Sequence, residues 1–163
     1  MLKLEYKNYQ LDFKFEAGTS RGKLKKHDIW ILKISDDTNI GVAGIGEAAP
    51  LVGLSPESFD EVGDQLIQVS KKIRSFSIPS NEGQVYQLVS QLVNQDYPSL
   101  VFGLQIALLD LLNNGEKRIF DNEFYEEKRN IKINGLIWMG DSGFMKKQID
   151  EKLAAGYKCI KIK

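Results

Sequence analysis

The sequence is short of most of what simple site chemistry uses. Among 163 residues there is one cysteine, Cys159, and one histidine, His27. A single cysteine allows no internal disulfide, which fits a reducing compartment such as the cytoplasm. With one residue of each kind, a Cys/His zinc centre cannot be assembled. A Ser-His-Asp triad would have to recruit His27, which follows the charged run KLKK and is expected in a turn. No apolar run approaches the roughly 18 residues of a spanning helix, and the opening MLKLEYKNYQ lacks the apolar core of a signal peptide. Net charge is also missing: 22 basic side chains are balanced by 22 acidic ones with no basic stripe, which argues against nucleic acid as a partner. What is present is apolar content, 42% of the chain, enough for one sizeable core or for a domain and part of another.

The pattern along the chain falls into two halves. Residues 2 to 16 alternate as a strand does, with Leu2, Leu4 and Tyr6 on one face and later Leu11, Phe13 and Phe15. GTSRG, residues 18 to 22, is expected to be a mobile or sharply turning loop. IWILKI is β-branched and aromatic, DDTN is a turn, and IGVAGIGEAAP returns as a third strand, giving an antiparallel meander. Three helices follow. Ser55, with Pro56 and Glu57 behind it, is expected to cap the first, which carries Val62, Leu66, Val69 and Ile73 at helical spacing. Ser80 is expected to cap the second, with Val85, Leu88, Val89 and Leu92; the third starts near Pro98 and is apolar nearly all round, so it should be the most buried. The Met and Phe side chains of the helices are expected in the core.

After the charged stretch from 113 to 129 the class changes. IKINGLIW from Ile131 reads as a strand, Asp141 or Ser142 caps a helix, Gly156 ends it, and YKCIKI is a strand again. This is one βαβ unit with parallel strands, which is marginal alone because parallel sheets are stable when covered on both faces. It is expected to be the opening of a longer β/α array.

The last strand carries the chemistry. Side chains two apart share a face, so Cys159, Lys161 and Lys163 point one way and Ile160 and Ile162 the other. Two ammonium groups about 7 Å apart disfavour each other's charge and so favour a neutral amine that can act as a base. Lysines that merely solvate or guard a sheet edge are the alternative from spacing alone. GVAGIG lacks the spacing of a phosphate loop, and Pro50 stops a helix from starting there, so these glycines are structural. Arg21 between glycines could bind a carboxylate through two parallel hydrogen bonds.

A meander carrying GTSRG, the turn GIGEAAPLVGLSPES, the helix PSLVFGLQIALLDL, then INGLIWMG and KCIKIK follow one another in an order that resembles the enolase superfamily, in its muconate-lactonising subgroup. Within the subgroup the sequence is most similar to the o-succinylbenzoate synthase family of menaquinone biosynthesis, with dipeptide epimerases second. The resemblance implies an α+β enolase-like capping domain, residues 1 to 125, followed from 126 to 163 by the first β-α-β unit of a truncated (β/α)7β barrel. It further implies a lyase in which Lys163 takes the proton α to the carboxylate of a small-molecule substrate, Lys161 assists it electrostatically, and magnesium stabilises the enediolate. The loops around Ser20 and Arg21 and around Gly53 and Ser55 would close over that substrate. The acidic magnesium ligands and an opposing lysine belong to later barrel strands, so no metal residue is assigned here and the fragment is expected to be inactive by itself. Its exposed strand edges are expected to self-associate or to meet the missing barrel segment. A non-catalytic α+β binding module with solvated terminal lysines is the reading from a different class.

Overall fold

The computed structural model describes residues 1–19 and 22–162; the side chains of Phe15, Ala17 and Thr19 and the burial of Gly18 also lie outside the description. Strands β1 (Leu2–Thr19), β2 (Gly22–Asp36) and β3 (Ala43–Ala48) form an antiparallel sheet in the order β1-β2-β3. The register pairs Leu4 with Ile34 and Ile34 with Gly44, so one face carries Leu2, Leu4, Leu32, Ile34 and Ala48, all buried. Onto this face pack α1 (Phe59–Lys72), a short 3-10 turn (Ile73–Ser75) and α3 (Pro98–Leu112), with α2 (Glu82–Leu92) packed against α3 in the same core. Val62, Leu66, Val69 and Ile73, recurring at helical spacing, are all fully buried, as the periodicity predicts. Fully burying a side chain of this size contributes roughly 1.5–3 kcal/mol.

Helix α3 lies almost against β3, and glycine is what permits it. A Cβ on Gly44 would stand 1.9 Å from the Ala107 carbonyl oxygen, and one on Gly46 would stand 2.0 Å from that of Gly103. The glycines of GVAGIG are therefore structural, as the sequence suggests, and their role is close approach of helix to strand. The far end of α3 is fixed by Asp110, which is 1% exposed. Its carboxylate accepts from the backbone amides of Ile45 at 2.9 Å and Lys117 at 2.6 Å, tying helix, strand and the following turn together.

Several boundaries differ from the sequence expectation. His27 lies within β2, opposite Leu11, because pairing with β1 carries the strand through KLKKHD. The N-cap of α1 is Ser58: it forms a capping box with Glu61, whose carboxyl is held below its ordinary range by hydrogen bonds from the Ser58 amide and hydroxyl. Ser55 is spent on the preceding turn. Asn81, accepting from the Gln84 amide at 3.0 Å, caps α2, while the Ser80 amide and hydroxyl donate to the Gln84 side chain. Phe102 and Phe144 are 60% and 47% exposed, so helix phenylalanines are not uniformly core.

The second half is shorter in regular structure than its pattern suggests. Strand β4 is Gly135–Ile137, α4 is Ser142–Ala154 with Asp141 as N-cap, and β5 is Ile160–Ile162. The strands are parallel, as expected, and among the described residues they pair over three positions. Ile131 and Ile133 are 59% and 70% exposed and do not join the ladder, since β5 offers no partner that far back. Gly156, at φ +84, ends α4.

Candidate functional site

Lys161 sits at the centre of β5, opposite Leu136. Gly135 fixes which way it points. A Cβ on Gly135 would meet the side chains of Ile160 and of Lys152 on α4, each at 3.1 Å, so Gly135 and its partner Ile160 face α4. Alternation then turns Leu136 and Lys161 to the opposite face, which in a β/α barrel is the interior. Lys161 is exposed on that face. Lys163, Ser20 and Arg21 lie outside the described residues.

Gly53 and Ser55 fall in one turn between β3 and α1. Gly53 adopts φ +74, a conformation that side-chain-bearing residues rarely take, and a Cβ there would meet nothing within 4 Å. The Ser55 hydroxyl accepts from the Leu51 amide at 2.9 Å, while the amides of Leu54 and Ser55 both donate to the Leu51 carbonyl. The turn is held at both ends. Upstream, His27 Nε2 lies 3.3 Å from the Pro50 carbonyl. Downstream, the Glu57 carboxylate turns inward and accepts from the Ser99 amide at 2.7 Å, at the otherwise uncapped N-terminus of α3, where a negative charge suits the helix dipole. Beside it, Trp30 stacks on Phe59 with ring centroids 4.7 Å apart and donates from Nε1 to the Phe59 carbonyl. A cavity of about 210 Å³ opens between Pro50, Gly53, Glu57 and Phe59.

Two buried acids, Glu57 and Asp110, were not singled out as structural from the sequence. The run SPES resembles a helix start, and an acid amid LLDLL resembles an exposed position. The one available signal is that Asp110 is the sole charged residue in the otherwise largely apolar α3. The described residues do not assemble a magnesium site: no group of three or more histidine, cysteine, aspartate or glutamate side chains among them could hold a metal. Nor, among the described residues, is any helix long and apolar enough to cross a membrane.

The profile of the family described as MenC, N-terminal domain, matches residues 2–111. The chain belongs to this family. Across 183 aligned positions it is 34% identical to an o-succinylbenzoate synthase of Desulfotalea psychrophila, covering 99% of this chain and 49% of that protein. The crystal structure of MenC from Desulfotalea psychrophila superposes with a TM-score of 0.79 at 28% identity, over 99% of this chain and 48% of that one. An o-succinylbenzoate synthase from Thermosynechococcus elongatus, complexed with magnesium in its active site, gives a TM-score of 0.70 over 98% of this chain and 42% of that one; at 17% identity it shares the fold. The chain thus spans about half the length of these relatives. A three-stranded antiparallel sheet with helices, followed by a parallel strand pair, matches the enolase-superfamily N-terminal capping domain, as the resemblance implied.

Proposed function

We propose that this chain is the cap and first β/α unit of an o-succinylbenzoate synthase, with residues 1 to 125 forming the cap and 126 to 163 opening the barrel. The observation that supports it most is the 34% identity to such a synthase across 99% of the chain. The orientation of Lys161, on the face away from α4, agrees with this reading. In the proposed reaction the Lys163 amine takes the proton from the carbon α to the substrate carboxylate, and the electron pair left behind makes an enediolate. The same nitrogen, now an ammonium, gives its proton to the departing hydroxide, so proton and hydroxide leave from one face. The Lys161 ammonium, two positions earlier in the sequence, favours the neutral form of the Lys163 amine in this proposal. Ser20, Arg21, Gly53 and Ser55 belong to the loops that close over the substrate and exclude water.

Magnesium, in this proposal, would stabilise the enediolate of the complete enzyme. The described residues do not form its ligand set, so the chain by itself is proposed to be inactive. The setting is the cytoplasm and the substrate a small carboxylate.

The test uses a complete protein in which the barrel follows Lys163. It should dehydrate its substrate to o-succinylbenzoate, and Lys163→Ala should abolish both turnover and exchange of the α-proton with solvent. Lys163→Arg should nearly do so, because a guanidinium is not deprotonated in proteins. A Lys163→Ala enzyme that keeps its rate, or a complete protein that epimerises dipeptides and does not dehydrate, would sink the proposal.

A further inference from the structure

Among the described residues, the last pair of the ladder between β4 and β5 is Ile137 with Ile162. The next residue, Trp138, pairs with a side chain. Its N–H donates to Gln148 Oε1 at 3.0 Å, and its carbonyl accepts from Gln148 Nε2 at 3.1 Å. The same Nε2 lies 3.4 Å from the Phe144 carbonyl, a weaker contact within α4. One planar amide thus makes with Trp138 the two-bond exchange that a residue of an antiparallel strand would make. Only asparagine and glutamine carry a donor and an acceptor in this arrangement, and both Gln148 and Trp138 are half-buried, where an unmade hydrogen bond is costly.

We propose that Gln148 is a positioning residue: it clamps the C-terminal end of β4 and so sets the mouth of the β/α unit beside the face that carries Lys161. In β/α architectures the reacting groups sit where the strands end, on the connections that lead into the helices. Here that connection runs from Trp138 to Asp141, the N-cap of α4. It is fixed at its helix end by the Asp141 cap and at its strand end by Gln148. The link to turnover rests on the function proposed above, whereas the clamp does not.

The clamp is tested in the 163-residue chain by hydrogen exchange of the Trp138 amide, followed by NMR. Gln148→Ala should raise its exchange rate by about 10- to 30-fold, the loss of two modest hydrogen bonds, with exchange in β1 and β2 unchanged. Gln148→Glu should fall between, since a carboxylate accepts from the Trp138 N–H but cannot donate to its carbonyl. Because α4 contributes no fully buried side chain, neither substitution should unfold the cap. In the complete enzyme Gln148→Ala should raise KM about tenfold with kcat changed far less, and Gln148→Glu should recover part of the loss. Unchanged Trp138 exchange in Gln148→Ala overturns the clamp. Altered exchange with KM unchanged, or with activity falling only in step with the folded fraction, overturns the positioning role. A complete protein with no synthase turnover refutes the proposed function instead, and Trp138 exchange then decides the inference alone.

Discussion

Removing the Asp110 carboxylate should cost the cap more than any other single polar change. The side chain is 1% exposed and accepts two backbone hydrogen bonds, from Ile45 at 2.9 Å and from Lys117 at 2.6 Å. A hydrogen bond to a charged group contributes roughly 1.5–3 kcal/mol, and a buried donor left without its acceptor costs about 1–3 kcal/mol. Lys117 is exposed, so its freed amide can turn to water, whereas the Ile45 amide faces α3 and cannot do so as easily. The Asp110→Ala loss should therefore be about 3 kcal/mol, nearer one buried donor than two. Asp110→Asn keeps one acceptor but turns an NH2 toward the second donor, for a loss of about 2 kcal/mol. The assay is urea unfolding followed by Trp30 fluorescence in a Trp138→Phe background, since Trp30 reports on the cap through its stacking on Phe59. With a urea slope of about 1–3 kcal/mol per molar, the alanine midpoint should fall by about 1 M or more. An alanine variant within about 0.5 kcal/mol of the parent would refute the latch, since surface substitutions commonly move stability that little.

Three other outcomes are expected. Gly46→Ala places a methyl 2.0 Å from the Gly103 carbonyl oxygen, so α3 must move, and the melting temperature should fall by several degrees at about 2–4 °C per kcal/mol. Ser58→Ala removes the capping box of α1 and should cost about 1 kcal/mol by chemical denaturation. Asp36 is buried against the Thr38 hydroxyl, the N-terminal amine at 2.9 Å and the Thr38 amide, which together lower its carboxyl to about 2. Because the folded value lies below the unfolded one, this stabilisation is complete above about pH 4 and is lost as the pH falls toward 2. An exposed amine as partner limits it to the order of 1 kcal/mol, and Asp36→Asn should flatten the acid limb of a stability profile between those values.

The fold was legible wherever burial imposes a period. The alternation of Leu2, Leu4 and Tyr6, the helical spacing of Val62, Leu66 and Val69, and the largely apolar α3 each follow from a face that meets the core, although Phe102 of α3 stays exposed. Caps were less legible, because Ser55, Ser58 and Ser80 are alike in type. What separates them is the three-dimensional demand on each hydroxyl: the Leu51 amide claims Ser55, and the Gln84 side chain claims Ser80. His27 was misplaced for a related reason. A run of lysines suggests a turn, yet lysines tolerate the exposed face of a long hairpin as easily as a loop.

Of the candidate site, only the strand position of Lys161 was legible, and the reason is geometric. Strand alternation places Lys161 on a face without any knowledge of the rest of the chain, and the packing of Gly135 against α4 agrees with that placement. The residues that hold the surrounding pieces carry no such local rule. Glu57 reaches Ser99, 42 positions away, and Gln148 reaches Trp138, 10 positions back. Each pairs with backbone, which every residue possesses, so neither partner leaves a trace in its own side-chain chemistry. A polar side chain that serves a distant main chain is therefore invisible to any pattern of residue types, although its loss would shift the loop or strand end that the chemistry needs.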